Sequence, residues 1–277
     1  MSAPHHSPFG TRRVRAAALA AALVALTATY SGTADAATLP STPHVSGGAA
    51  AALPSAAEEV RSWTLTPAAV EGAGNRADFS YFADQGTEID DAVTLFNLGT
   101  SQLTFRVYAA DAFTRDDGAF DVQSRDATPT GAGSWVTLEQ DLVTVPAGQQ
   151  VTIPLTIAVP ADAEPGDHAA GILASVFDDT PTDPNQPVQV EFRTGTRLYV
   201  RVNGDAYPSL AINDLAVAYN AEGSPTEGSV DVTFRVSNRG NVRFGGQSTV
   251  IVAGPFGLRE QRLTLEPITD LLPGSDV

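Results

Sequence analysis

From about residue 60 onward the chain alternates apolar and polar residues in short runs, with turn-forming residues between them. The clearest run is QVTIPLTIAVP, where Val151, Ile153, Leu155, Ile157 and Val159 hold five successive positions on one face. A period of two is that of a strand with one buried side. LTFRVYAAD repeats the pattern, with Leu103, Phe105, Val107 and Ala109 inward and Thr104, Arg106 and Tyr108 outward. In IDDAVTLFN, Asp91, Val93, Leu95 and Asn97 share one face. SWTL, DFSYF, AAGILASVF and VQVEFRTGTRLYVRV supply further strands. Pro154 sits on the polar face and lacks an N–H, which marks an edge strand or a bulge. After the leader no window of eleven or more residues keeps a helical period. Short, one-sided, turn-punctuated strands predict an all-β protein, an antiparallel immunoglobulin-like β-sandwich spanning 61–204.

A second unit, 209–277, echoes the first. VTLFNLGTSQLTFRVY corresponds to VTFRVSNRGNVRFGG: a strand, an Asn-x-Gly turn and a returning strand. VTVPAGQQVTIPL corresponds to TDLLPGSDV, so Val277 matches the Val that opens the strongest core strand of the first unit. The second unit is therefore expected to be an immunoglobulin-like sandwich truncated at its C-terminal end, in a fragment of a longer protein.

Ahead of these units, Arg12, Arg13 and Arg15 precede an apolar run from Ala16 to Thr29, and Ala34-Asp35-Ala36 forms an A-x-A site. This is the layout of an export signal, residues 1–36. The run is too short to span a bilayer comfortably, which takes about 20 residues. Residues 37–60, rich in Ala, Ser, Gly and Pro, read as a disordered leader segment.

Composition removes several functions. A net charge of −16 opposes nucleic acid and anionic membrane surfaces. With no Cys there is no disulfide, thiolate metal site or Cys nucleophile. With no Lys, every basic side chain is Arg, and no lysine Schiff base or isopeptide can form. Beyond the leader only His168 remains as a His, in the turn PGDH, where a packed strand-end residue is the simpler reading than a general base. The acidic pairs Asp90-Asp91, Asp116-Asp117, Asp178-Asp179 and Glu58-Glu59 read as solvated turn or strand-face residues rather than a glycosidase pair. No catalytic residue, resident cofactor or enzyme activity is assigned. TRDDGAFD and DDTPTD offer oxygen ligands for Ca²⁺ at Asp116, Asp117, Asp178, Asp179 and Asp183, without EF-hand spacing. Trp135, Tyr81, Tyr108 and Tyr199 are the aromatic candidates for ligand binding, against the alternative that they plug the core.

The first unit resembles the peptidoglycan-binding domain of WxL-interacting proteins of the Gram-positive cell surface. The likeness rests on NLGTSQLTFRVYAADAF, on WVTL followed by VTVPAGQQVTIPLTIAVPADAEPGDHAAGILAS, and on GTRLYVRVNG. It implies a non-enzymatic cell-surface protein, here of an actinobacterial wall, that binds peptidoglycan or a surface-protein partner. It also implies a membrane anchor in a C-terminal segment beyond Val277. Two other readings stand beside it: a chaperone-like assembly factor using strand addition at a sandwich edge, and the accessory domains of a carbohydrate-active enzyme.

Overall fold

The computed structural model describes residues 12–16, 59–69, 76–178, 190–224, 227–253 and 260–277. Strand β1 is Arg12–Ala16. The first sandwich contains β2 (Trp63–Pro67), β3 (Phe79–Ala83), β4 (Glu88–Asn97), β5 (Leu103–Thr114), β6 (Phe120–Val122), β7 (Val136–Leu138), β8 (Leu142–Val145), β9 (Gln150–Ala158), β10 (Gly166–Asp178) and β11 (Val190–Val202). One 3-10 turn, Ala132–Trp135, is the sole helical element among the described residues.

The period-two runs form the strands because each has one apolar face to bury. One sheet runs β2-β4-β9-β7 and the other β3-β11-β10-β5-β6, with β8 also on β5. Between the sheets lie Phe79, Val93, Leu95, Phe105, Ile153, Ile157, Ile172 and Leu198, all fully buried. Pro154 sits where β9 changes from two neighbours to one. β4 flanks β9 throughout, whereas β7 covers only Leu155–Ile157. Its carbonyl accepts from the Glu139 N–H on that half-open side, so the missing donor costs no ladder bond there.

Two expectations change. The sandwich is not wholly antiparallel, since β3 runs parallel to β11 from Phe79↔Leu198 to Ala83↔Val202. The first edge of the chain serves both sheets, β2 pairing with β4 in one and β3 with β11 in the other. In β5 the inward alternation holds from Leu103 to Val107 and then stops. Ala110 is buried on the outer face, in a small cluster with Val122 and Leu173, because β6 folds back over that end of the sheet.

The second sandwich contains β12 (Leu210–Ser224), β13 (Glu227–Asn238), β14 (Phe244–Gly246), β15 (Thr249–Val252), β16 (Gln261–Thr264) and β17 (Ile268–Leu271). The sequence echo is reproduced in hydrogen bonds. The Asn97 side-chain amide donates to the carbonyls of Ser101 and Val145, its Oδ1 accepts from Gly99 N–H, and its backbone bonds Gln149 and Gly148. Asn238 makes the same five bonds, to Val242, Leu271, Gly240, Ser275 and Gly274. Val277 pairs with Val236, exchanging N–H···O bonds of 2.8 and 2.9 Å, as Val151 stands opposite Leu95 in the first sandwich. The core here is Val232, Phe234, Val236, Ile268, Leu271 and Val277.

The two sandwiches meet through ion pairs. Asp270, 5% exposed, accepts from Tyr199 Oη (3.0 Å) and Arg197 (3.1 Å) of the first sandwich and from Arg243 (3.0 Å) of the second. Asp167 takes both donors of the Arg201 fork at 2.6 Å and the Arg243 N–H at 2.8 Å. Gly166, at φ +128°, lies where a Cβ would stand 2.4 Å from the Asn241 carbonyl, so the close approach requires glycine.

Candidate functional site

The structure scatters the residues that the sequence offered. Trp135 lies in the 3-10 turn, 8% exposed, with the His168 ring 4.7 Å from its own. His168 Nε2 lies 2.7 Å from the Glu164 carbonyl, which places it as a packed strand-end residue. Tyr199 is buried at the junction of the two sandwiches with Arg243 stacked 3.7 Å over its ring. Burial, then the charge of Asp270, pushes its phenol up to about 12. Neither Trp135 nor Tyr199 turns an open ring face to solvent. Tyr108 is half-buried on the outer face of β5, where its hydroxyl reaches Glu191, and burial raises its pKa. Tyr81 is committed to an ion-pair network described below.

Of the calcium candidates, Asp117 pairs with Arg115 at 3.1 Å and accepts from Ala119 N–H at 3.0 Å, and Asp116 stands beside it in an exposed turn. Asp178 is the last residue of β10, and Asp179 and Asp183 lie outside the described residues. Among the described residues no group of three or more His, Asp or Glu side chains is placed to hold a metal ion.

Sequence reading treated four acidic pairs as solvated, and Asp91 of the first pair is not. Asp91 takes both nitrogens of the Arg76 guanidinium, at 2.7 and 2.8 Å, and a short bond from the Tyr81 hydroxyl. Burial pushes the Asp91 carboxyl up, but the donors from Arg76, Tyr81 and Ala92 N–H outweigh it and hold it below its ordinary value. Asp111 is buried and accepts from the N–H groups of Thr130, Gly131 and Gly133, pinning the loop that carries Trp135. These carboxylates look inward at structural partners, and none faces another across a cleft as a catalytic pair would.

The feature that is open to a partner is the edge of β11. β10 pairs with β11 from Val190 to Val202, but β3 covers its other side only from Leu198 onward. From Val190 to Arg197 that side carries no strand among the described residues. Asn203 N–H donates to Ala83 on the β3 side. By the alternation of the ladder, the backbone groups of Glu191, Arg193 and Gly195 then point to the same side, where no described strand lies. The even-numbered side chains share the core-facing side with Leu198 and Val200, yet Val190 is 39% and Phe192 51% exposed. Phe192 stands at the mouth between the two sheets, on a groove of about 600 Å³ lined also by Trp63, Val176 and Thr194, with Glu59 and Arg61 beside them. Trp63 is fixed there by its Nε1–H bond to the Ala174 carbonyl (3.2 Å) and an edge contact with Phe105. Sequence reading placed VQVEF in a strand but not on an edge. The alternation of Val188, Val190 and Phe192 was visible, and its lack of cover was not.

No family model matches this chain, and no curated protein does. Among the solved structures similar to it is the Salmonella enterica SafA pilin in complex with the SafB chaperone, with 12% identity over 79% of this chain and 95% of that one and a TM-score of 0.37. The Pseudomonas aeruginosa CupB2 chaperone matches at 10% identity over 73% and 84%, TM-score 0.36. The YadV chaperone matches at 15% over 78% and 82%, TM-score 0.37. The chain is an immunoglobulin-like β-sandwich protein.

The resemblance to WxL-interacting proteins is thereby corrected, and with it the expectation of peptidoglycan binding. No family model supports that membership, and the solved structures similar to the chain include chaperones of fimbriae and a chaperone bound to a pilin. The segments that carried the resemblance have a plainer explanation. NLGTSQ and VPAGQQ build the Asn97 corner, which Asn238 builds again in the second sandwich from a different sequence. PGDH supplies the Gly166 approach to Asn241 and Asp167, which pairs with Arg201 and accepts the Arg243 N–H from the second sandwich. Such motifs report how a sandwich turns and docks, not what it binds.

Proposed function

We propose that this protein is an exported, non-enzymatic assembly factor that holds an extended segment of a partner polypeptide by adding it as a strand to the free edge of β11. The observation that carries the reading is that edge: eight residues, Val190–Arg197, paired on one side only among the described residues, with Val190 exposed and Phe192 exposed on the groove beside Trp63. An added strand satisfies the outward N–H and C=O groups of Glu191, Arg193 and Gly195, which supplies affinity without a fixed sequence. Its alternate side chains enter the groove against Trp63 and Phe192, which selects segments of alternating apolar character. The partner is accordingly a protein segment, exported like this chain, rather than a glycan. The export pattern of residues 1–36 supports the compartment, and the low number of basic residues is consistent with a partner that is not polyanionic.

The test is amide exchange and titration with a synthetic ten-residue peptide of alternating Val and Thr. Binding that slows exchange at Glu191, Arg193 and Gly195, and is lost in Phe192→Ala, supports the reading. A peptide that leaves these amides unchanged at saturating concentration, or that protects only other strands, removes it.

A further inference from the structure

The outer face of β11 has a gap in it. Glu191, Arg193, Gly195, Arg197 and Tyr199 share that face by the period of two, and Gly195 brings no side chain to the row. None can stand there, because a Cβ at Gly195 would lie 2.4 Å from the Ile172 carbonyl oxygen of β10. A second bare position follows in β10 at Gly171, opposite Arg197, where a Cβ would lie 2.5 Å from a Val122 methyl. Gly171 is buried under Val122, whereas Gly195 is exposed.

Around these two glycines lies a recess of about 200 Å³ whose walls include Leu173, Phe120, Val122 and Arg197. Leu173 is buried and packs with Val122 and Ala110. Phe120 is fixed by the Tyr199 ring, edge-on at 5.9 Å, and by the Arg197 guanidinium 4.8 Å from its ring centre. Asp121, on the same wall, is already engaged by its own neighbour's Val122 N–H (2.8 Å) and by Arg193 (3.4 Å). Gly195 belongs both to this recess and to the open edge, since its backbone faces the side of β11 that no described strand covers.

Size and chemistry select what fits. A dry cavity of about 150 Å³ holds one benzene ring, so a recess of about 200 Å³ has room for a single phenyl or phenol ring. Side chains on neighbouring strands stand about 5 Å apart, within reach of an aromatic crossing a bare glycine. There a ring gains an aromatic partner in Phe120 and a cation in Arg197, neither of which rewards an aliphatic side chain of similar area.

We propose that the residue of an added strand that stands opposite Gly195 is aromatic, and that its ring crosses the glycine to seat between Leu173, Phe120 and Arg197. This rests on strand addition at β11 and specifies the partner segment. The segment is apolar at the alternate positions that face Trp63 and Phe192, with one Phe or Tyr on its other face. A strand that shifts by two residues keeps its faces, so alternation alone leaves its register loose. The single aromatic fixes it.

The test uses the chain 1–277 and three ten-residue peptides: the alternating Val and Thr parent, and two in which one central Thr is replaced by Phe or by Leu. The readouts are affinity, amide exchange at Glu191, Arg193 and Gly195, and the methyl resonances of Leu173. The Phe peptide is expected to bind about ten-fold more tightly than the parent and about three-fold more tightly than the Leu peptide. Its ring current moves the Leu173 methyl signals, which the other two peptides leave in place. In Phe120→Ala the Phe peptide still protects the three amides but falls to the affinity of the Leu peptide. Equal affinity of the Phe and Leu peptides for the parent protein, or tight binding of the Phe peptide with the Leu173 methyls unmoved, overturns the proposal. Strand addition survives that result if the three amides are protected. If no peptide protects them, both readings fall. Should Phe120→Ala not fold, the Leu173 methyl shift in the parent protein decides.

Discussion

Asn238 does in the second sandwich what Asn97 does in the first. Each is buried, donates its side-chain amide to two carbonyls, and accepts from a glycine N–H two residues on. An amide is the one uncharged side chain of this size with donors and an acceptor on one plane. The corner thus satisfies the backbone at the point where four strands end. Asn97→Ala leaves two buried carbonyls and one N–H without partners, and the expected loss is about 3 kcal/mol. Asn97→Asp is expected to be worse, since a carboxylate cannot donate to either carbonyl. Urea melts of the two variants check the order, and equal stability of all three proteins refutes this account of the corner.

Acid should weaken the fold through Asp91 and Asp167. Against the opposing effect of burial, both carboxyls are held below their ordinary value, Asp91 by Arg76 and Tyr81 and Asp167 by Arg201 and the Arg243 N–H. A depressed folded pKa contributes stability that is fully present above the unfolded value and is lost as pH falls through the folded one. Stability should therefore be flat from pH 7 to about 5 and then fall below about pH 4. In Asp91→Asn and Asp167→Asn the curve should start lower and fall less steeply. Guanidinium midpoints at pH 3 and pH 7 measure both slopes.

The buried Asp270 carboxylate joins the sandwiches. Asp270→Ala leaves Arg197, Arg243 and Tyr199 without their shared acceptor, and a loss of about 2–3 kcal/mol is expected. Two resolved unfolding steps should replace one if these bonds couple the halves. Tyr199→Phe keeps the packing against Arg243 and Phe120 and removes one bond, so about 1 kcal/mol is expected. In the parent protein, ultraviolet titration should show a tyrosine ionising near 12, absent in that variant.

At the β11 edge, stability and binding should separate. Phe192 is half-exposed, so Phe192→Ala is expected to cost under about 1 kcal/mol in folding. Glu191→Pro removes an N–H that faces away from β10 and should leave the β10–β11 ladder intact. Both should weaken binding of the alternating peptide at least ten-fold. Loss of binding only in parallel with loss of fold counts against the edge as the site.

The strands were legible in the chain because a period of two needs no tertiary information: Val151, Ile153, Leu155 and Ile157 face one way in any extended conformation. The repeat was legible for the same local reason, since the Asn-x-Gly and Pro-Gly turns are built from neighbouring residues. What lay beyond reach was everything set by neighbours across space. Alternation says that Phe192 faces the core side, but not that no strand of the other sheet arrives to cover it. Acidity says that Asp91, Asp111, Asp167 and Asp270 are charged, but not that an arginine or three backbone N–H groups meet each one. Trp135 and Tyr199 looked like binding aromatics because a ring's exposure belongs to the fold and not to the residue. The family resemblance failed on the same ground, because its motifs specify turns that many sandwiches share. The sequence alone determined the class of fold, through side-chain periodicity and turn chemistry. Tertiary structure alone decided which edges remain unpaired, because an edge is defined by the strand that is not beside it.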